Sequence, residues 1–359
     1  MSEALQNLVN LVARSTRHVV LNPIVTAALL WVLTKAPPQL HGRITDRIAI
    51  LRDPIRHAQI VNALKVCLAL GSAAVLNKQM NHVALNSGRF RSEKARWNWS
   101  REVAVVTGGC SGIGELTVKR LISKGIRVAI LDIRQLPPSL QGFPVANVKF
   151  FACDITNPNA VYSTAEQIKA TLGAPTILVN NAGILESHTI LNTSDEYLRK
   201  IFDVNVLSNW YTVKAFLPDM VRQNKGHIIT VASLASFVGV AGMGDYNATK
   251  AAILSFHEAL NQELRLHYNS PNVLTTSIHP HWVRTPLLTP LQDELQKRGA
   301  PILEPAVVAD AIAESIMSCS GRQVILPSSS GAPLVRALPN WVQESVRSNV
   351  SKLILKSAQ

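Results

Sequence analysis

Ser233, Tyr246 and Lys250 are the residues of this chain whose types and spacing most directly suggest chemistry. Residues 248–266 read as a helix, and the four-residue spacing of Tyr246 and Lys250 at its start places both side chains on one face. A tyrosine has an unperturbed pKa of about 10 and is a poor base at neutral pH. A lysine ammonium close by favours the phenolate, so Lys250 is expected to lower the Tyr246 pKa toward the working range. Ser233 closes an apolar run over 227–232 and can donate a hydrogen bond to a substrate oxygen while Tyr246 moves a proton. By itself Tyr-x-x-x-Lys is an ordinary helix-surface pair. Its meaning comes from what must position it.

The positioning elements begin with Val103, Ala104, Val105 and Val106, followed at once by Thr107-Gly108-Gly109-Cys110-Ser111-Gly112-Ile113-Gly114 and a helix-forming stretch. That pattern reads as a buried strand, a tight loop and a helix N-terminus. Glycines let backbone N–H groups approach a pyrophosphate, and the helix start adds free donors and a favourable dipole. A second strand over 127–131 ends in Asp132, 24 residues after Gly108. A carboxylate there can accept hydrogen bonds from both hydroxyls of an adenosine ribose and repels a 2′-phosphate, which argues for NAD. Arg134, two residues on, leaves NADP open. Further apolar runs at 148–152, 176–179, 227–232 and 273–278 end at Cys153-Asp154-Ile155, Asn180-Asn181-Ala182-Gly183, Ser233 and His279-Pro280. A last short strand is expected over 323–326. Strands alternating with helices predict an α/β fold, a doubly wound parallel sheet of Rossmann type with its ligand at the carboxyl ends of the strands.

On these motifs, residues 101–327 resemble the short-chain dehydrogenase/reductase family. The resemblance implies an oxidoreductase acting on CH–OH groups with NAD or NADP. It implies that Thr107, Gly108, Ser111, Gly112, Ile113 and Gly114 build the pyrophosphate loop and that Asp132 holds the adenosine ribose. Asp154 would meet the adenine amino group with the Ile155 backbone beside it, and Asn181 and Gly183 would line the cofactor. Asn205 would hold a water in a proton relay, Lys250 would bind the nicotinamide ribose and tune Tyr246, and Val283 and Thr285 would grip the carboxamide. The family's usual Pro-Gly is here Pro280-His281, and histidine resists backbone conformations that glycine tolerates.

Composition bounds the rest. Of the 359 residues 47% are hydrophobic, and the net charge of +13 is concentrated in the first hundred, which carry 13 Lys/Arg against 4 Asp/Glu. Apolar runs at 19–33 and 60–76, with Arg14, Arg17, Lys35, Arg52, Arg56 and Lys78 as flanks, suit a membrane hairpin or interfacial helices. Both runs fall short of the ~20 apolar residues of a spanning helix. No nucleic-acid motif accompanies the basic charge. Cys67, Cys110, Cys153 and Cys319 show no metal-type spacing, so no metal site is expected and a reduced compartment is. The formal glycosylation sequon at Asn247 beside the catalytic residues also favours the cytosolic side. The organisation expected is a membrane-associating helical region over 1–100, a catalytic domain over 101–330 and an amphipathic tail over 331–359. In that tail Leu338, Trp341, Val342, Val346, Val350, Leu353 and Ile354 recur at helical spacing, suited to a partner subunit or a membrane surface.

Residues 286–304 suit a lid, and Phe237, Val238, Met243 and Trp282 suggest a lipophilic alcohol or ketone as substrate. With the apolar N-terminal runs, the chain also resembles the membrane-associated retinol and hydroxysteroid dehydrogenase-like branch of the family. That implies the endoplasmic reticulum membrane or lipid droplets, a catalytic domain facing the cytosol, and a homodimer. The rival readings are an NADP(H)-dependent ketone reductase and an inactive membrane or lipid-droplet scaffold of the same fold. The complete set of Asn205, Ser233, Tyr246 and Lys250 opposes the scaffold.

Overall fold

In the computed structural model, residues 21–39, 47–144 and 147–352 are described. Arg14, Arg17, the first residues of the run at 19–33, and Leu353 and Ile354 lie outside that description. The chain divides into two units, Met1–Ala84 and Leu85–Gln359.

In the first unit, the Asn22 side chain accepts hydrogen bonds from the N–H groups of Ile24 and Val25, and Pro23 opens helix α1 (Pro23–Thr34). A capping oxygen followed by proline is a strong start signal, because proline lacks only an N–H that the first turn cannot use. Helix α2 (Pro54–Leu85) is 32 residues long, far longer than the apolar run at 60–76 that signals it. It is long and apolar enough to cross a membrane, and only 11% of its apolar window is buried. The flanking polar residues extend the helix without breaking it, which is why reading the apolar run alone underestimates its length. Leu33, Leu51 and Val61 form a small cluster within this unit. At Gly71 a Cβ would collide with the Leu21 carbonyl, so glycine is required there for close backbone approach.

In the second unit, seven strands form one parallel sheet: β1 (Val103–Thr107), β2 (Arg127–Asp132), β3 (Val148–Ala152), β4 (Ile177–Asn180), β5 (Gly226–Val231), β6 (Val273–Pro280) and β7 (Arg322–Leu326). Their order is β3-β2-β1-β4-β5-β6-β7. Strand side chains alternate between faces, and β1 shows the result. Val103 and Val105 enter a core with α4 (Pro158–Leu172), α6 (Ser208–Gln223) and α7 (Gly244–Leu266). Ala104 and Val106 enter a second core with α3 (Gly112–Ser123) and α9 (Pro305–Met317). Every β1 residue is therefore buried. The remaining helices of eight or more residues are α5 (Asp195–Phe202), α8 (Thr289–Lys297) and α10 (Asn340–Ser351), with single turns at Pro138–Gln141 and Ala332–Val335. Helix α7 starts four residues earlier than the expected 248, and β6 runs two residues past 278.

Residues just before β1 belong to this unit. Trp97 and Trp99 stack at 5.5 Å and pack on the second core. Glu102, 2% exposed, pairs with Lys225 at 2.6 Å and accepts from Thr176 Oγ1 at 2.6 Å. Asn86 is buried against the turn before β7, donating to the Gly321 carbonyl (3.1 Å) and accepting from the Gly321 N–H (2.7 Å). Asn86→Ala would leave both backbone groups buried without these partners. The expected loss is about 2 kcal/mol of unfolding free energy, measured by denaturant titration.

Candidate active site

The glycine loop is held by its neighbours. Gly108 and Gly112 have φ of +64° and +55°, where a side chain is strained. A Cβ on Gly114 would run into the Gly108 carbonyl, so the loop and the first turn of α3 are in close backbone contact. Asn181, just past β4, donates through Nδ2 to the carbonyls of Thr107 (3.1 Å) and Gly108 (3.2 Å). Thr107 Oγ1 accepts the N–H groups of Asn181 (3.0 Å) and Ala182 (3.1 Å). Ser111 precedes α3 without a side-chain capping bond, which leaves the first N–H groups of the helix to a ligand.

Asp132 ends β2 and is 7% exposed. Its carboxylate accepts from the Cys110 N–H and the Arg134 N–H, both at 2.9 Å, and this fixes it beside the loop. The Arg134 guanidinium reaches Ser111 Oγ at 3.3 Å. Burial and the Asp132 carboxylate push the Cys110 thiol up to about 12. Asp154 is exposed, with Oδ1 accepting from the Thr156 N–H and hydroxyl, while Ile155 is buried.

Ser233, Tyr246 and Lys250 converge at the carboxyl ends of β5 and β6. Ser233 begins a 3₁₀ turn, accepting the Ala235 N–H on Oγ at 3.1 Å. Tyr246 is buried, and desolvation pushes its phenol up to about 12, opposed only by a hydrogen bond with Ser233. The expected lowering by Lys250 is not found. Lys250 is buried as well and falls to about 8, with Nζ 5.5 Å from the Tyr246 ring centre and donating to the Val231 carbonyl at 3.1 Å. Loss of water around the phenolate outweighs attraction to an ammonium at that distance. Asn205 lies in a π-helical turn, Asp203–Leu207, between α5 and α6. Its amide accepts from the Ile184 N–H (2.9 Å) and donates to the Ile184 carbonyl (3.0 Å) and Thr249 Oγ1 (3.2 Å).

A cavity of about 480 Å³ brings together Ile113, Asn181, Gly183, Ser233, Tyr246, Lys250, Val283 and Thr285. Asn205 sits behind it, where a Gly183 Cβ would come within 3.2 Å of Asn205 Oδ1. Thr107, Gly108, Ser111, Gly112, Gly114, Asp132, Asp154 and Ile155 do not line this cavity; they lie on or beyond the glycine loop. Of the residues expected to make the pocket apolar, Val238, Met243 and Trp282 line it, whereas Phe237 is buried against the His279 ring at 4.8 Å.

These features agree with the comparisons. Residues 102–296 match the short chain dehydrogenase family. The chain belongs to that family. This dehydrogenase is 36% identical over 225 residues to Dehydrogenase RED2 of Cochliobolus heterostrophus, covering 63% of this chain and 82% of the relative. It is 34% identical over 253 residues to human Estradiol 17-beta-dehydrogenase 11 (68% and 82% covered) and 31% identical over 229 residues to human Epidermal retinol dehydrogenase 2 (62% and 74%). These relatives place the dehydrogenase in the retinol and hydroxysteroid dehydrogenase-like branch. The aldohexose dehydrogenase of Thermoplasma acidophilum shares its fold, with a TM-score of 0.53 at 24% identity over 63% of this chain and 92% of that one. The enzyme is thus an oxidoreductase that works with a nicotinamide cofactor. Its residues fit that group: Gly108 and Gly112 turn the loop through positive φ, and the first N–H groups of α3 carry no side-chain cap.

Sequence reasoning named two parts of this region without giving them the place they take. His279, immediately before Pro280, is fully buried, burial lowers it to about 4, and its Nδ1 lies 3.1 Å from the Ser233 carbonyl. The neutral ring therefore donates to the backbone of the serine. Its place directly after an apolar run was the available signal. The second is the tail, where Val335, Val346 and Val350 line the cavity, so one face of α10 walls the site. His281 also lines it and has no positive φ, so this position does not need the family's glycine. Gly114→Ala, which forces a Cβ against the Gly108 carbonyl, is expected to weaken NADH binding at least about tenfold, read by nicotinamide fluorescence on folded protein.

Proposed function

We propose that this enzyme interconverts a lipophilic alcohol and its carbonyl with NAD(H), the substrate being of retinoid, steroid or long-chain lipid type. The observation that carries the reading is an apolar cavity converging on half-buried Ser233 and on buried Tyr246 and Lys250. The bound cofactor supplies hydride acceptance and return. In oxidation, the Tyr246 phenolate accepts the hydroxyl proton and the Ser233 hydroxyl donates to the substrate oxygen. Lys250, its ammonium beside the Tyr246 ring, would bind the nicotinamide ribose, and Asn205 holds a water that passes protons onward. In reduction, the Tyr246 phenol returns the proton. The buried carboxylate of Asp132, fixed by two backbone N–H groups, supports a preference for NAD(H). Arg134 at 3.3 Å from Ser111 supports the second reading, an NADP(H)-dependent ketone reductase, because a guanidinium at the loop would attract a 2′-phosphate.

The same reading places the enzyme at the endoplasmic reticulum or a lipid droplet through its N-terminal unit, with the catalytic unit on the cytosolic side. The exposed, apolar α2 supports attachment, and four free cysteines suit a reducing compartment. Trp210 on α6 is half exposed and packs on Phe256 of α7 at 4.7 Å, which supports a homodimer through these helices.

Tyr246→Phe is expected to lower kcat for alcohol oxidation by about 10²-fold or more while NADH still binds, as removal of a general acid–base does. With the phenol near 12, the reactive phenolate fraction grows as pH rises. Oxidative kcat/KM should therefore climb from neutral pH and flatten above about 8, where Lys250 gives up its charge. Asp132→Ala should narrow the ratio of NADH to NADPH affinity in separate titrations.

A further inference from the structure

The end of the second unit presents two faces. Val335, Val346 and Val350 line the cavity. Hydrogen bonds strap the segment down: Ser351 Oγ accepts the Ala241 N–H at 3.0 Å, Arg336 donates to the Phe237 carbonyl at 3.0 Å, and Arg298 of the turn after α8 donates to the Lys352 carbonyl. Facing away are Leu334, Leu338 and Trp341, spaced four and three residues apart and 68%, 39% and 77% exposed. On α10, Trp341 lies five and nine positions before Val346 and Val350, which at 100° per residue puts it roughly across the helix from them. Glu344 pairs with Arg347, and among the described residues neither Arg336 nor Lys352 has a carboxylate within ion-pair distance. The outer surface is thus apolar with a net positive rim.

We propose that Leu334, Leu338 and Trp341 dock on an anionic lipid surface, and that this segment is the port through which a lipophilic substrate passes from lipid into the cavity. The port rests on the alcohol–carbonyl reading above; the docking does not. A lipid occupant is favoured over a second copy because three side chains cannot supply the roughly 800 Å² per partner of a stable protein interface. A tryptophan with its apolar ring and N–H suits the headgroup level, and the cations Arg336 and Lys352 complement anionic headgroups. The exposed α2 of the same chain gives independent reason for a membrane to be at hand. A substrate soluble mainly in lipid then needs to cross only one helical layer, whose inner face is already part of the binding wall.

The test uses the full chain with vesicles of brominated phosphatidylcholine mixed with phosphatidylserine. Bromine quenches tryptophans that enter the lipid, and the contribution of Trp341 is read as the difference between the wild type and Trp341→Phe. A larger loss of fluorescence in the wild type supports the docking. So does its shrinkage when phosphatidylserine is omitted and when Leu334→Glu is introduced. Equal quenching of wild type and Trp341→Phe overturns it. A shift in oligomeric mass on Trp341→Glu without quenching overturns it in favour of a second copy. For the port, the double variant Leu334→Glu, Trp341→Glu should lose about tenfold or more in kcat/KM for a long-chain alcohol delivered in vesicles, at least what the burial of one such apolar side chain in lipid is worth. Its kcat/KM for a short water-soluble alcohol should be unchanged; an equal fall for both overturns the port. If no alcohol is turned over by the wild type, the alcohol–carbonyl reading and the port fail, while the quenching still decides the docking.

Discussion

Asn181 and Thr107 exchange hydrogen bonds in both directions, the amide giving to the carbonyls of the glycine loop and the hydroxyl receiving two backbone N–H groups in return. These bonds join the carboxyl ends of β1 and β4, the neighbouring strands at which the order of the sheet changes direction. Connections leaving such a point pass to opposite faces of the sheet and open a crevice. The clasp sets the shape of that crevice. Beyond it, the Ile184 backbone is bonded to the Asn205 amide, the same amide donates to Thr249, and Thr249 donates to the Tyr246 carbonyl at 2.8 Å. A continuous run of bonded groups thus links the loop to the helix that carries the acid/base candidate. Displacing Asn181 would disturb both ends at once.

The second constraint is dryness. Burial raises Tyr246 and lowers Lys250, and it also keeps His227, His257 and His279 neutral, at about 3, 4 and 4. Each of these rings has a polar neighbour: Thr276, Thr230 and the Ser233 carbonyl. These rings are therefore polar but uncharged. They orient backbone and hydroxyl groups, and His279, bonded to the Ser233 carbonyl, adds no competing cation near Lys250.

Much of this was legible in the sequence, for definite reasons. The glycine loop, Asp132 and the strand-end residues are found because a parallel sheet puts its ligand side at the ends of unbroken apolar runs, and such runs are visible without a structure. Element ends were less accurate where polar residues sit inside a buried element: His279 in β6 and Tyr246 in α7 both fall outside the expected ranges. The Tyr246–Lys250 spacing was readable, but the sense of the phenol's shift was not, because desolvation depends on what covers a group and not on its neighbours in sequence. The tail reads as amphipathic from its spacing alone. That its Val346 and Val350 wall the cavity depends on a return of the chain across about a hundred residues, bonded at Ala241 and Phe237, which no local pattern announces. The length of α2 was missed because polar residues flanking an apolar run can still be helical.

Cys110 sits in the middle of the glycine loop, 5% exposed, with its thiol held near 12 by burial and by the Asp132 carboxylate. Oxidants and alkylating electrophiles attack the thiolate, and a thiol that keeps its proton this firmly offers almost none at neutral pH. The glycine loop therefore carries a sulfur whose thiolate, and with it the reactivity of an exposed cysteine, is suppressed. A cysteine at the centre of the loop thus packs as a small apolar side chain, as do the buried Cys153 and Cys319.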